Sequence, residues 1–305
     1  MKVVICGGSG LVGSAVRRLL TEKGYEVVVL TRANPAGQPG LAAWDPSRGT
    51  VDRVALRGAK ALIHLAGEPI LGWWTEAKKK RIRTSRVEGT RLLSEVLATM
   101  TGGPRILISA SAIGVYGAKA KGIVDEESAL PPVRPDDFLA SVAREWEEAT
   151  RPAEEAGVRV VHARLGIVLS RRGGALGAML PPFWLGLGGP IGKGAQWMSW
   201  IAVQDAARAI VYAMEQDTLS GPLNLVAPQP VTNREFSKAL GRVLRRPALL
   251  PVPPFAIKLL FGRECAEATV LQSLQVKPKR LTDAGFCFEA SEIEQGLRMA
   301  LADPK

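Results

Sequence analysis

The chain has 305 residues, 47% apolar and 23% charged, with 40 Lys and Arg against 29 Asp and Glu, a formal charge of +11. That composition excludes a disordered or fibrous chain and gives enough length for one full domain and a further lobe. No apolar stretch is long enough to span a bilayer and no signal peptide is expected, because the chain starts directly on a core strand, so no membrane partner is expected. Three isolated cysteines (Cys6, Cys265, Cys287) and only two histidines (His64, His162) give no metal spacing and no disulfide framework. A reducing, cytoplasmic setting is expected. The excess charge asks for an anionic partner. The basic residues are scattered, the densest run being Lys78 to Arg83, with no helix-turn-helix, zinc finger or aromatic RNA platform, so nucleic acid is not expected.

The first thirteen residues read as a buried strand (Val3-Val-Ile-Cys6), a glycine turn and the first turn of a helix. Gly7, Gly10 and Gly13 fall at three-residue spacing, and Gly8-Ser-Gly10-Leu-Val-Gly13 also satisfies G-x-G-x-x-G. One glycine makes the tight turn, one admits a pyrophosphate to the backbone, and one lets helix and strand pack closely. The helix N-terminus then offers free N–H groups to the phosphates. An amphipathic helix (Ala15, Val16, Leu19, Leu20) and a second strand, Glu26–Leu30, complete the context of a dinucleotide site. The alternative is a glycine-rich turn with no ligand. After the second strand comes Thr31-Arg32-Ala33-Asn34, with no carboxylate to bind a ribose 2′-OH. Arg32 can instead fork onto a 2′-phosphate, which favours NADP(H) over NAD(H). Its plainer reading is a solvated arginine at a strand end.

Pro35 to Gly40 is a turn-rich loop, 41–45 a short strand and 53–58 a short helix or turn. Ala61 to Gly67 is an apolar strand whose exit, Leu65, Ala66, Gly67 and Glu68, faces a ligand at the C-terminal edge of a doubly wound sheet. His64, inside that strand, is a packed core histidine rather than a catalyst. The spacing predicts a helix over 75–98, with Arg86 passing beside the nicotinamide half of the site. The strand Arg105 to Gly117 brings Ser109 and Ser111 to its C-terminal end with Tyr116 close behind. Polar groups there suit an active site, or the serines satisfy backbone in a bend. A helix over 136–153 and a strand over 159–169 follow. The Gly- and Pro-rich 173–192 carries large apolar side chains and is expected as a helix and loop lining a pocket. A short strand (196–201), a helix from Asp205 to Met214 capped by Gln204 or Asp205, and a strand (223–226) precede a helix over 233–244 capped by Thr232 or Asn233. Pro251 to Pro254 breaks the chain before a helical 255–274 and a terminal helix, 291–301. The reading is an α/β Rossmann doubly wound parallel sheet with a smaller, mostly helical C-terminal lobe. Residues 1–170, with 198–226 returning, form the NADP-binding domain, and 171–197 and 227–305 the substrate-side lobe.

The glycine turn, the His64-Leu-Ala-Gly67 strand end and the exit to Val115-Tyr-Gly117 resemble the extended short-chain dehydrogenase/reductase superfamily. Trp74-Thr75, Ser85-Arg86, Gly186-Leu-Gly-Gly-Pro-Ile-Gly192, Trp197-Met-Ser-Trp200, Asp205, Arg246-Pro247, Lys277-Pro278 and Gly285-Phe286 resemble its atypical "epimerase family protein" subfamily, nucleoside-diphosphate-sugar epimerase-like, over nearly the whole chain. The resemblance implies NADP(H) binding under a C-terminal roof. By position it implies cofactor contacts at Ser9, Gly10, Leu11, Val12, Thr31, Arg32, Leu65, Ala66, Glu68, Arg86 and Val168, with Arg81 a further candidate. Gly7, Gly13, Gly67 and Ser109 join them from the strand-end reading. Extended members are often dimers, so the resemblance admits a homodimer.

One departure stands out. The superfamily's acid/base pair is Tyr-x-x-x-Lys on the helix after the serine strand. Here that helix offers Phe138 with Val142, or Leu139 with Ala143, and neither pair moves a proton. Tyr116 and Ser111 are the substitute catalytic candidates. Two functions follow: an NADP(H)-dependent oxidoreductase or epimerase-like enzyme acting on an unnamed small molecule, or a non-catalytic NADP(H)-binding protein that senses redox state or docks a partner.

Overall fold

Successive residues of the first strand point to opposite faces of one sheet, and both faces are covered. Val3 and Ile5 pack into one apolar cluster, Val4 and Cys6 into another. This is why the strand reads as an unbroken apolar run. The computed structural model describes residues 1–32, 35, 38–118, 120 and 122–302. Ala33, Asn34 and part of the expected 35–40 loop lie outside the described residues.

The sheet strands, numbered here in chain order, are β1 Lys2–Cys6, β2 Glu26–Thr31, β3 Leu41–Asp45, β4 Thr50–Val51, β5 Ala59–His64, β6 Ile106–Ala112, β7 Arg159–Leu165 and β8 Gly221–Leu225. Their order is β8-β7-β6-β5-β1-β2-β3-β4, parallel except for the β3–β4 pair. The order reverses direction between β1 and β5. There the chain leaves neighbouring strands toward opposite flanks and opens a crevice at their C-terminal ends.

Helix α1 (Leu11–Glu22) and the later helix Val203–Glu215 cover one face through Val16, Leu20, Ile210 and Met214. Helix α2 (Glu76–Thr99) covers the other through Leu93, Val96 and Leu97. Helix α3 (Phe138–Glu148) lies beside α2. The single helix expected over 136–153 is two: after α3 the chain turns at Thr150 and restarts as Arg151–Glu155, with Pro152 in its first turn.

The strand expected over 159–169 also divides. A Cβ on Gly166 would stand 2.6 Å from both Ser199 O and Val226 Cγ1, so only glycine allows the crossing there. Beyond it Ile167–Leu169 leaves the main sheet and pairs with Trp200–Ala202. The C-terminal helices are α4 (Gly174–Trp184), the helix already met at Val203–Glu215, here α5, α6 (Asn233–Leu244), α7 (Pro254–Phe261), α8 (Arg263–Ala268) and α9 (Ile293–Ala302). Of these α4, α6 and α9 pack on the second pair, with Leu180, Phe183, Trp200, Phe236, Leu240 and Leu297 in the shared core.

Two capping expectations part ways. Thr232 caps α6 in a reciprocal capping box with Glu235, while Asn233 turns its Oδ1 to Ile191 N. Neither Gln204 nor Asp205 caps α5, whose N-cap is Ala202. The buried Asp205 carboxylate instead accepts Glu289 N and Ala290 N and pairs with Arg208, pinning the terminal segment to the sheet domain. The expected helical run 255–274 is α7, a break at Gly262, α8 and then turns. Among the described residues no helix is long and apolar enough to cross a membrane, and no group of His, Cys, Asp and Glu is arranged to hold a metal.

Candidate functional site

The glycine turn is built as its spacing requires. Gly7 has φ +79°, and a Cβ there would meet Ala66 N at 2.6 Å. A Cβ on Gly13 would stand 2.1 Å from Gly7 O. The turn therefore presses α1 against the exits of both β1 and β5. Gly10 is the N-cap of α1, and no side chain caps the helix and no acid occupies its first turn. Its orphan N–H groups and positive dipole end are open to an anion. Ser9 is exposed beside them, and Leu11 and Val12 line the cleft that begins there.

The other cofactor candidates fall around this point, with one exception. Thr31 ends β2, and Arg32 follows it, exposed, with no carboxylate pairing it among the described residues. Leu65, Gly67, Glu68 and Val168 line the cleft, while Ala66 packs toward the α2 face. Glu68 is tied to Lys78 at 2.8 Å and to Arg81 at 3.4 Å, and these contacts hold its carboxyl below the usual range. Arg86 lines the cleft with its guanidinium over the Trp146 ring at 5.1 Å. Its hydrogen-bond partners are carbonyl oxygens, Glu68 O at 3.0 Å and Ile82 O at 3.1 Å. Burial pulls its pKa down to about 10. A cation in that position lacks a direct anionic partner. Ser109 is the exception: it is buried within β6 between His64 and His162, away from the cleft lining. Ser109 shares a sheet face with Ser111 but lies two residues further back along the strand, within the core.

His64 is a core residue, as its place in the strand implied. Neither ring nitrogen has a partner, and it packs edge-on to Trp44. Burial, with the Arg86 charge second, lowers its pKa to about 4.

The catalytic candidates separate. Tyr116 is 1% exposed and does not line the cleft. Its hydroxyl donates to Asn224 Oδ1 at 2.9 Å and accepts from Arg164 Nη1 at 3.0 Å, so both its functions are spent inside the protein. As the last residue of the 3-10 turn Ile113–Tyr116 it turns into the core beside Val115 and Val226. Ser111 does reach the cleft. Its Oγ donates to Glu147 Oε1 at 2.6 Å, and Arg164 grips the same carboxylate through Nε and Nη2, both at 2.8 Å. Burial pushes the Glu147 carboxyl up, but Arg164, with His162 and Ser111, outweighs this and holds it below the usual range. Glu147 and Arg164 were not singled out from the sequence. A lone arginine amid the apolar strand 159–165 was the available signal.

On α3, Leu139, Val142 and Ala143 all line the cleft, whereas Phe138 turns outward onto Trp74, Lys79 and Arg83. Both registers left open on this helix therefore present apolar side chains to the cleft. The expected lining by 173–192 is corrected. That segment packs its backbone on the lobe instead, with a Gly189 Cβ position 1.9 Å from Leu250 O, and the cleft wall comes from Trp197, Ser199, Ala268, Thr269, Gln272 and Leu274.

A doubly wound sheet, an uncapped glycine-flanked helix start at its switch point and a cleft beyond it define a Rossmann dinucleotide-binding protein. The sequence model described as "NAD dependent epimerase/dehydratase family" matches residues 3–225, and one for a domain of unknown function, DUF1731, matches 252–300. The chain belongs to the NAD dependent epimerase/dehydratase family. It is 41% identical over 303 residues to "Epimerase family protein Mb2239" of Mycobacterium bovis, covering 99% of this chain and 98% of that protein. The crystal structure of human epimerase family protein SDR39U1 (isoform 2) with NADPH superposes with a TM-score of 0.87 at 33% identity, covering 98% of this chain and 99% of that one. A nucleoside-diphosphate sugar epimerase from Corynebacterium glutamicum superposes with a TM-score of 0.77 at 36% identity, covering 99% of this chain and 59% of that one.

Proposed function

We propose that this protein binds NADP(H) and carries out oxidoreductase or epimerase-like chemistry on a small molecule without a Tyr-x-x-x-Lys pair. The observation that carries this reading is the uncapped, acid-free N-terminus of α1 opening onto a cleft that continues past it. The residues fit the cofactor. The first N–H groups of α1 suit a pyrophosphate. Arg32 suits a 2′-phosphate at a strand exit that lacks a carboxylate. Arg86 brings positive charge that only carbonyl oxygens meet directly. The human relative solved with NADPH supports the same choice. When bound, the cofactor supplies or accepts a hydride at an electrophilic carbon.

Ser111 and Glu147 remain to move the proton. A hydroxyl has one hydrogen, and the ionised Glu147 holds that of Ser111, so Ser111 turns lone pairs toward the cleft. Rather than polarising a carbonyl as a donor, Ser111 accepts the hydrogen of a substrate hydroxyl while its own passes to Glu147 Oε1. Reduction runs the same transfers backward. Because Glu147 is held ionised, the reductive direction quickens as pH falls toward its lowered pKa. Ser111→Ala tests this: turnover falls by about 100-fold or more while NADPH affinity is unchanged. Equal turnover in Ser111→Ala contradicts the relay.

A non-catalytic NADP(H)-binding role is the second reading, favoured by Leu139 and Ala143 in the cleft wall and by the buried Tyr116. It requires tight cofactor binding with no turnover on any carbonyl or alcohol offered.

A further inference from the structure

We propose that the inner end of the cleft takes an uncharged carbonyl compound with a hydrocarbon body, or its alcohol, rather than a nucleotide sugar. This rests on the cofactor reading above. The cleft encloses about 490 Å³, and its wall away from α1 includes Ile113, Leu139, Ala143, Trp197 and Leu274. Few polar side chains stand there, and most are already used. Ser199 Oγ donates to Leu274 O at 2.9 Å and accepts from Val276 N at 2.8 Å. Thr269 Oγ1 donates to Cys265 O at 2.6 Å. Ser111 has given its hydrogen to Glu147. What remains is the lone pairs of Ser111, the amide of Gln272 and the indole N–H of Trp197, neither of the last two having a side-chain hydrogen-bond partner among the described residues.

An N–H from Gln272 or Trp197 satisfies a carbonyl oxygen, and in the alcohol form the Ser111 lone pairs accept the hydroxyl hydrogen, so these groups serve a single substrate oxygen. A hexose carries a hydroxyl on most of its carbons, and each would lose water on entry without a replacement partner. A diphosphate needs cations, and among the described residues the one cation lining the cleft, Arg86, lies with Glu68 and Gly67 at the cofactor end. The basic groove outside Phe138 supplies little more. Its Lys79, Arg83 and Arg134 are paired with Glu264, Glu145 and Asp136 at 2.7, 3.5 and 2.8 Å, leaving only the exposed Lys80.

The approach to the cleft continues the same chemistry. Helix α8 rests on Ile70 of the cleft wall through Cys265, and Gly262, just before it, sits against Trp73. Trp73 is 64% exposed, and Phe255 and Leu259 of α7 are 70% and 72% exposed. Helix α7 buries none of its residues. Exposed apolar side chains of this size on neighbouring segments suit a binding region.

The test uses the full chain saturated with NADP⁺, so that ketones bind without being reduced. Straight-chain methyl ketones from butanone to octanone are titrated calorimetrically, beside UDP-glucose and UDP. Ketone affinity is expected to rise about fourfold per added methylene, with no heat from UDP-glucose or UDP. Leu139→Glu is expected to weaken octanone at least about tenfold and to leave NADP⁺ affinity unchanged. Tighter binding of UDP-glucose than of octanone, affinity independent of chain length, or no ketone binding at all overturns the proposal. Failure of wild type to bind NADP⁺ overturns the cofactor reading itself, so the two failures are distinct.

Discussion

The two ends of the cleft are built on opposite principles. At the α1 end the protein leaves polar capacity unspent: orphan N–H groups, the exposed Arg32, and Arg86 with no direct carboxylate partner. At the inner end nearly every polar group is consumed by the protein, from Ser199 and Thr269 to the Ser111–Glu147–Arg164 chain. Unspent donors are what an anionic cofactor needs, since a buried charge is held only where partners await it. Spent donors make a rigid wall that selects by shape and by little else. A fold can therefore keep one end of a cleft open to an anion while the wall at the other end is largely apolar, as at Leu139, Val142 and Ala143.

The contrast can be broken first at the turn that creates the open end. Gly13→Ala forces a methyl group to within 2.1 Å of Gly7 O. Loss of about 5 kcal/mol of stability and of all measurable NADPH binding is expected, read by urea unfolding and calorimetry. At the spent end, Arg164→Ala leaves the Glu147 carboxylate buried without its cation. A loss of about 3–5 kcal/mol is expected in the same unfolding measurement, while the cofactor end keeps its geometry.

A smaller effect separates the ends by pH. His64 titrates at about 4 in the fold against 6.5 as its ordinary value. The unfolded chain thus binds more protons between these values. The stability tied to the neutral ring is complete above about pH 6.5 and is lost as pH falls through about 4. That loss is about 3 kcal/mol. His64→Leu is expected to lose less stability than wild type between pH 7 and 4.5. An identical pH slope in the variant contradicts the assignment.

The open end was the more legible in sequence because it is local. Gly7, Gly10, Gly13, Leu11 and the β1 run lie within thirteen residues, and their spacing carries its own geometry. Arg32 and the Gly67 strand exit follow from the sheet's connectivity. The spent end is assembled from distant segments. Glu147 meets Ser111 across 36 residues, and Tyr116 meets Asn224 across 108. No periodicity announces such pairs, so Tyr116 and Ser109 read as strand-end polar groups when they are core. The lining expected of 173–192 failed for a related reason: glycines there serve backbone packing on Leu250 as easily as a ligand. The helix register around Leu139 was open in sequence because both registers were apolar; packing on Trp74 takes Phe138 out of the cleft, while Val142 lines it together with Leu139 and Ala143.

The most direct test of an open, phosphate-reading end is calorimetric titration of NADPH, NADP⁺, NADH and NAD⁺ into wild type and Arg32→Ala. The account predicts that wild type prefers the phosphorylated pair by about tenfold or more, and that Arg32→Ala loses this preference with unchanged stability. Binding of none of the four by wild type, or a preference that survives Arg32→Ala intact, contradicts it.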